Sequence, residues 1–393
     1  MTATSVNDAG RTADDPPTAG DPPPGRKRRL PWVIHRNSRP HLGIVAGGLA
    51  VAGLVILWGG GLGQFDQGQL TRVAIYAIAI VGLNIVTGYA GLVSVGHSAF
   101  FGLGAYTTGV LVVRYGWQAE NTIPVALVIC FAVGLLVGLP AIRIRGLYLA
   151  MVTLAFGVAF PEVVNRFEDL TGGAQGLTIR LRTLRPPDWS GFTLAERGQW
   201  LYWLSVVLLL VIMLIVHNIV RSRYGLALVA TRDNELAAAA SGVNVALVKT
   251  LSFGVSGAIT GVGGCLFAIY LGSLVAHDSF TLLNAVALLI GLVIGGQATR
   301  FGPIIGALAV VYIPYYTSDI GQGQAAAVLF GVVLIAIVFL APEGVIGGFG
   351  RLMRRLLVVI PAVPPPFQPE KRQIPERKTP QEPTQETSGR DPD

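Results

Sequence analysis

Charge is scarce in this sequence. Only 13% of its 393 residues are Asp, Glu, Lys or Arg, whereas about a quarter is usual in soluble domains. The basic residues stand in short clusters between long apolar runs, and the mean hydropathy is +0.59. This distribution excludes an ordinary soluble domain. It also argues against a nucleic-acid partner, because basic clusters between apolar runs are typical of membrane topology determinants. We therefore expect an all-α, polytopic protein in contact with a lipid bilayer.

Cysteine is also scarce, with only Cys130 and Cys265, and both lie in apolar runs. Neither has the spacing of a metal or haem site, so we expect two small buried side chains and no metal. Residues 1–25 are polar and proline-rich without an apolar centre, which is not the pattern of a signal peptide.

Acidic residues are nearly missing from the apolar runs, where Glu162 is the only one. Carriers driven by an ion gradient normally rely on intramembrane carboxylates, so we expect the driving energy to come from outside this chain. Lys249 and Lys378 are each followed by Thr but lack the preceding glycine-rich turn of a P-loop. We therefore expect no catalytic residue and no bound cofactor, and nucleotide chemistry only in a partner.

The apolar runs predict one membrane domain, residues 41–345, between two proline-rich tails that we expect to be disordered, residues 1–40 and 346–393. A bilayer core of about 30 Å needs roughly 20 helical residues to cross it. On this basis we predict ten spans. They are residues 42–62, 70–87, 97–113, 124–142, 147–165, 200–220, 250–272, 283–297, 303–318 and 325–341.

The basic residues also predict the orientation of the spans. With both ends of the chain on the cytoplasmic side (N-in/C-in), sixteen basic residues fall inside and seven outside, which agrees with the positive-inside rule. The outer seven include five arginines of the loop at residues 166–199, beside four acidic residues. The inner set is Arg26, Lys27, Arg28, Arg29, Arg36, Arg39, Arg143, Arg145, Arg221, Arg223, Arg232, Lys249, Arg300, Arg351, Arg354 and Arg355.

Residues 82–106 read GLNIVTGYAGLVSVGHSAFFGLGAY, an apolar run interrupted by glycines and polar residues. Non-helical backbone at membrane depth must line a cavity or be buried in protein, so a turn here is a candidate substrate pathway. The alternative interpretation is close helix packing through glycine with a satisfied interior histidine, which Gly-xxx-Gly pairs elsewhere favour. Those pairs are Gly134/Gly138, Gly257/Gly261, Gly291/Gly295 and Gly302/Gly306. The candidate pathway residues are Asn84, Gly88, Gly91, Ser94, Gly96, His97, Ser98 and Glu162.

The predicted cytoplasmic segment at residues 221–249 contains DNELAAAASG, which favours a short helix. Asp233 is expected to cap its start, alanine has high helix propensity, and Gly242 is expected to end it. A helix outside the membrane offers a contact for another protein.

Five stretches together resemble the M-type membrane permeases of ABC importers for branched-chain amino acids (the Liv system). They are GLNIVTGYAGLVSVGHSAFFGLGAYTTGVL, RIRGLYLAMVTLAFG, LTGGAQGL, SRYGLALVATRDNELAAAASGVNV and IGGQATRFGPIIGALAV, within residues 65–345. The resemblance implies the ten-helix importer fold. It also implies two ATP-binding subunits that use ATP and Mg²⁺, a second (LivH-like) permease and an extracytoplasmic solute-binding protein.

The resemblance further implies that segment 221–249 couples the permease to an ATP-binding subunit. The family's Glu-Ala-Ala triplet is altered here, because Leu236 replaces the first alanine and the glycine lies one residue further on. The coupling residues implied by the match are Arg232, Asp233, Glu235, Ala238 and Gly242.

The substrate remains open at this point. Branched-chain amino acids are the first expectation, and related permeases carry urea, short amides or other amino acids. Two other classes of protein stay as alternatives. An ion-coupled carrier is disfavoured by the scarcity of intramembrane acids. A membrane enzyme with a Ser94–His97 pair lacks a third group to orient the histidine.

Overall fold

The computed structural model describes residues 32–35, 53, 56–144, 146–320, 331, 332, 335, 344–348 and 357–360. The chain forms two compact units, one from Met1–Ile44 with Leu357–Asp393 and one from Val45–Leu356. In the first unit, strand Trp32–His35 pairs in parallel with strand Leu357–Ile360. These strands lie within the predicted tails, and the other tail residues lie outside the described part of the chain, apart from residues 346–348.

The second unit is mostly helical. Its main α-helices, in chain order, are α1 (Gln64–Leu83), α2 (His97–Tyr115), α3 (Ile123–Gly138), α4 (Leu147–Arg166), α5 (Arg197–Arg221), α6 (Arg223–Asp233), α7 (Glu235–Ala240), α8 (Val245–Leu271), α9 (Leu282–Gly295) and α10 (Gly302–Ile320). Of these, α7 is short and mostly exposed. One-turn α-helices occur at Pro140–Arg143, Glu168–Thr171 and Ala276–Ser279. A π-helical turn, Asn84–Tyr89, continues α1.

Helices α1 to α5 and α8 to α10 occupy the second to ninth predicted spans, which confirms those segments as helical. The first and tenth predicted spans, 42–62 and 325–341, lie mostly outside the described residues. Within the described part of the chain, six helical stretches are long and apolar enough to cross a membrane. They are Gln64–Tyr89, Ala119–Arg143, Leu147–Arg166, Leu194–Arg221, Val245–Leu271 and Ala276–Gly295, and Gly302–Tyr316 is a shorter apolar helix.

Helices α1 and α8 form the centre of the bundle. In the most apolar part of the helical stretch that contains α1, and likewise in that of α8, 83% of the residues are buried. In the corresponding parts of the stretches that contain α3 and α5, only 28% of the residues are buried. Helix α8 packs against α1, α2 and α3, α1 also packs against α5 and α10, and α9 packs against α10. The helices with apolar exposed faces therefore surround two helices that are enclosed by protein.

Glycines allow α8 to approach three neighbours at once. A Cβ atom added to Gly264 would collide with the carbonyl oxygen of Phe101 in α2. One added to Gly263 would lie 3.1 Å from the Ile75 oxygen of α1, and one added to Gly257 would lie 2.9 Å from the Cys130 oxygen of α3. Between helices in lipid, association depends on van der Waals packing, so small residues at these contacts stabilise the bundle.

The other predicted Gly-xxx-Gly pairs are also packing sites. In α9 and α10, Gly291 faces Gly306 and Gly295 faces Gly302, with no room for a Cβ atom at Gly306 or Gly295. Gly134 of α3 lies against the backbone of Phe253 in α8. The interpretation of these spacings as close helix contacts is confirmed.

The loop at residues 166–199 is held to the end of α8. Strand Leu177–Thr178 pairs antiparallel with Ser273–Leu274, and the Arg197 guanidinium donates to the Ile269 carbonyl. Short 3₁₀ turns form much of the remaining loop, at Gly173–Gln175, Leu181–Leu184, Asp188–Ser190 and Leu194–Glu196.

Replacing Gly264 with Leu should destabilise the bundle by about 1–3 kcal/mol or more, because the side chain would overlap the α2 backbone. The measurement is thermal unfolding of the purified protein in detergent. Gly198→Ala is the matched control, since this glycine lies in α5 with no atom near an added Cβ. Equal melting temperatures for the two variants would contradict the packing role of Gly264.

Candidate functional site

The candidate site begins where α1 changes from α-helix to the π-helical turn Asn84–Tyr89. The chain then turns at Gly91, whose φ of +69° favours glycine, and α2 starts at His97. We call residues 88–96 the glycine turn. The break predicted at Gly88, Gly91 and Gly96 is therefore present in the structure. π-helical turns within α-helices are frequently found at functional sites.

Asn84 joins the π-helical turn to the loop between α9 and α10. Its Nδ2 donates to the Thr299 carbonyl at 3.0 Å, and its Oδ1 accepts from the Ala298 amide at 2.8 Å. Ala298 has a φ of +55°, a strained conformation for a residue with a Cβ atom. Gly88 leaves room for this contact, since an added Cβ would collide with Asn84 Oδ1. Both ends of the Asn84 amide are thus engaged by backbone.

His97 connects three segments through hydrogen bonds in the protein interior. Its Nδ1 lies 2.9 Å from Ser94 Oγ, and its Nε2 lies 2.6 Å from Ser256 Oγ of α8. The Ser256 hydroxyl donates to the Gly82 carbonyl of α1, so it must accept from His97 Nε2–H. In a neutral ring of this tautomer, Nδ1 accepts from the Ser94 hydroxyl. This network fits a satisfied interior histidine, which was one of the two open interpretations.

Ser98 differs from its neighbours because its buried hydroxyl has no hydrogen-bond partner among the described residues. Gly96 packs against the backbone of Thr153 in α4, and Thr153 Oγ1 accepts from the Val95 amide at 3.1 Å. The end of the glycine turn therefore packs against α4.

Glu162 lies apart from the other candidate pathway residues. It is nine residues beyond Thr153 along α4, or about 13 Å at the helical rise of 1.5 Å per residue. Its side chain is 72% exposed, and Oε1 is 3.7 Å from His277 Nε2. Asn165 Nδ2 lies 2.7 Å from the same ring nitrogen. The structure therefore brings seven of the eight candidates together at the glycine turn and π-helical turn, and leaves Glu162 in a separate polar cluster.

An apolar cavity of about 330 Å³ lies between α2, α3 and α4. Its walls include Leu103, Ile129 and Phe160. The lining hydroxyls of Thr107 and Thr171 donate to backbone carbonyls, Leu103 for the first and Val164 and Phe167 for the second. This cavity is not lined by the candidate pathway residues, and its polar groups are already engaged.

Segment 221–249 has the predicted short helix, with one correction to its start. We expected Asp233 to cap the helix, but Asp233 is the last residue of α6. Asn234 is the cap of α7, and its Oδ1 accepts from the amides of Leu236 and Ala237 at 3.0 and 3.1 Å. An amide side chain caps a helix as well as a carboxylate does. The adjacent Asp233 and Asn234 were therefore equally good candidates, and the prediction of Asp233 was wrong.

The predicted helix end at Gly242 is confirmed. Gly242 has a φ of +85°, its amide donates to Ala239, and the Val243 amide donates to the Ala238 carbonyl at 3.0 Å. These two bonds form a Schellman motif, the usual glycine-dependent end of a helix. Ala238 itself is buried, with 4% exposure.

Arg232 links this segment to the glycine turn. Its Nη1 donates to the Gly88 carbonyl at 3.0 Å, and a Cβ atom on Gly91 would collide with Arg232 Cγ. Nε also lies 3.4 Å from Asp233 Oδ1. The predicted pathway residues and the predicted coupling residues therefore meet at one point.

Sequence reasoning missed Lys249 as a candidate site residue. We counted it as a positive charge beside a span and rejected it as a P-loop lysine, but its side chain is 1% exposed and Nζ lies 2.6 Å from Glu235 Oε1. The signal that could have found it is a lysine immediately before a predicted span, preceded by the apolar residues Leu247 and Val248.

Segment 221–249 also exposes three leucines. Leu226, Leu236 and Leu247 are 68%, 76% and 55% exposed. Sequence reasoning noted Leu236 only as a departure from a motif. Exposed apolar side chains are common on single proteins, but three in one short segment between polar residues favour a contact surface.

The apolar helices and the family match define a multi-pass protein of the cell membrane. A family model described as the branched-chain amino acid transport system / permease component matches residues 67–338. The chain belongs to this family.

Individual relatives agree with the family assignment. The chain is 29% identical to the high-affinity branched-chain amino acid transport system permease protein LivM of Escherichia coli (strain K12) over 302 residues, covering 72% of this chain and 70% of the relative. It is 22% identical to the probable permease LivM of Methanocaldococcus jannaschii over 319 residues, covering 69% and 90%. It is 27% identical to the autoinducer 2 import permease LsrC of Salmonella paratyphi B over 249 residues, covering 58% and 67%. No solved structure matches the chain.

Asn84→Leu should destabilise the protein by about 1–3 kcal/mol, because the amide of Ala298 and the carbonyl of Thr299 lose their partner. Thermal unfolding measures the loss, and hydrogen exchange at Ala298 should become faster. The control is Asn121→Leu, which removes only an exposed contact with Gln118. Unchanged exchange at Ala298 would show that Asn84 does not hold this loop.

Proposed function

We propose that this protein is a transmembrane permease subunit of an ATP-binding-cassette importer that moves branched-chain amino acids into the cell. In this proposal it has ten spans with both ends in the cytoplasm, and ATP hydrolysis takes place in two partner subunits. A second, LivH-like permease completes the pathway, and an extracytoplasmic binding protein delivers the substrate. The chain itself binds neither ATP nor Mg²⁺ and catalyses no reaction.

The observation that carries the proposal is the contact between Arg232 and the Gly88 carbonyl. It joins a helical segment with exposed leucines to the break in one of the two central helices. A partner that moves this segment would therefore move the glycine turn directly. Charge-assisted hydrogen bonds to a carbonyl are stronger than neutral ones, which suits a contact that must persist during movement.

The three exposed leucines of segment 221–249 support docking of an ATP-binding subunit. Leu236, at 76% exposure on α7, is the most exposed of them. In a soluble partner, a groove that buries this side chain would supply much of the binding energy, because a few buried anchors dominate most interfaces. The nearby charges of Arg232 and Asp233 would set the orientation of the ATP-binding subunit on this segment.

The geometry also supports an assignment of the glycine turn as part of a gate. Asn84 ties the π-helical turn to the α9–α10 loop, and Gly344 packs against Gly296 in the same loop. By the predicted orientation, these contacts lie on the cytoplasmic side, where they close the bundle. Rigid-body movement of helix groups around such a closure is the usual means of alternating access in transporters.

The substrate assignment rests on the family. Branched-chain amino acids require an apolar surface with a few polar groups for the charged amino and carboxyl groups. Asn84, Ser94 and His97 are engaged in internal hydrogen bonds, so they contact substrate only if the gate opens and releases them. Ser98, with its unpartnered hydroxyl, is the candidate that needs no such release. Urea, short amides and other amino acids are the alternative cargo.

Leu236→Asp should weaken the association with the ATP-binding subunit roughly tenfold or more, because a carboxylate would replace an apolar anchor. The measurement is co-purification of the ATP-binding subunit from native membranes in mild detergent. Leu194→Asp, on the 166–199 loop, is the control and should leave co-purification unchanged. Equal recovery of the partner with both variants would argue against docking at α7.

Gly91→Ala should reduce uptake while the ATP-binding subunit stays associated. The added Cβ would collide with Arg232 and would force the segment and the glycine turn apart. Gly116→Ala is a matched control, because Gly116 has a similar φ of +66° but no atom near the added Cβ. The two variants share the backbone strain, so substrate uptake into vesicles isolates the contact with Arg232. Normal uptake by Gly91→Ala would contradict the gate.

A further inference from the structure

Glu235 and Lys249 form an ion pair between the exposed helix α7 and the central helix α8. The distance from Lys249 Nζ to Glu235 Oε1 is 2.6 Å, and the two side chains are 1% and 20% exposed. Glu235 is the first residue of α7, and Lys249 lies near the start of α8. The pair therefore connects the helix that carries Leu236, the most exposed leucine of segment 221–249, to the helix that contacts α1, α2 and α3.

A buried ion pair of this kind is not explained by stability alone. Removal of an ammonium from water is costly, and apolar side chains of similar size often stabilise a protein equally well. Loss of one partner is different, because it leaves a buried charge without compensation. Movement of α7 that left α8 behind would separate the two charges and incur this cost. The pair thus forces the two helices to move together in either direction.

The surrounding contacts make Lys249 a suitable point for transmission. The Tyr224 hydroxyl of α6 donates to the Val248 carbonyl at 3.3 Å, and the Ser252 hydroxyl donates to the Lys249 carbonyl at 2.7 Å. One turn beyond Ser252, Ser256 bonds both His97 of α2 and the Gly82 carbonyl of α1. A displacement at Lys249 would therefore pass along α8 to both helices that flank the glycine turn.

We propose that the Glu235–Lys249 ion pair is the mechanical link between the docking helix α7 and the transmembrane core, with Lys249 as the positioning residue on α8. The proposal rests on the proposed function, since it requires an ATP-binding subunit that moves α7. It adds a second route beside the Arg232 contact. Arg232 acts on the glycine turn directly, and Lys249 acts on the helix behind it.

The test compares uptake with ATP hydrolysis in the complete importer, reconstituted in vesicles with its partner subunits and leucine as the probe. The first variant is Glu235→Gln with Lys249→Met, which removes both charges and leaves no buried ion. It should still co-purify with the ATP-binding subunits and hydrolyse ATP, while leucine uptake per ATP falls roughly tenfold, within the range of coupling between distant sites. The second variant is the reversed pair, Glu235→Lys with Lys249→Glu, which should recover most of the coupled uptake.

The matched control removes an exposed ion pair. Arg185 and Asp188 are 2.8 Å apart with side chains 67% and 85% exposed, and exposed pairs contribute little. Arg185→Met with Asp188→Asn should therefore leave uptake per ATP unchanged.

Each outcome decides the proposal. Normal uptake per ATP in the doubly neutral variant would show that the pair only fills space, and would overturn it. If that variant does not assemble, the reversed pair alone is the test. ATP hydrolysis without leucine uptake by the reversed pair would then overturn the proposal. Failure of the proposed function is distinguishable, since then the unmodified chain would not bind ATP-binding subunits at all.

Discussion

The structure depends on one constraint, which is that lipid cannot hydrogen-bond to the backbone. The glycine turn joins the π-helical end of α1 to α2, and polar groups of both turns are bonded by other parts of the protein. Arg232 binds the Gly88 carbonyl, Thr153 binds the Val95 amide, and Asn84 binds the backbone of the α9–α10 loop. Each of these bonds connects the turn to a different part of the chain. Any movement of the turn must therefore be shared with those parts.

Close helix packing allows a movement of the glycine turn to be passed to the helices around it. Helix α8 touches three helices through glycines that leave no room for a side chain, and interiors packed in this way transmit displacement and do not absorb it. The buried Lys249 and the Ser256–His97 bond lie on the same helix. A rigid central helix with a charged contact at one end is consistent with a permease that is driven by a partner outside the membrane.

Much of the candidate site was predictable because local rules governed it. Gly91 and Gly242 stand where a positive φ favours glycine, so their positions in the sequence were sufficient. The start of α7 was not predictable, because Asp233 and Asn234 are adjacent and both are good caps. The role of Lys249 was also hidden, because a lysine beside a span normally extends its ammonium to the membrane surface.

The sequence by itself determined that the protein is helical and membrane-spanning, since hydropathy and run length depend only on neighbouring residues. It also indicated where close helix contact is possible, because glycine is the smallest residue, although Gly198 of α5 makes no such contact. Only the tertiary structure decided that Asn84 meets Ala298, 214 residues away, and that Arg232 meets Gly88, 144 residues away. Such pairs arise from the packing of whole helices against one another, and no local pattern in the chain specifies which helices become neighbours.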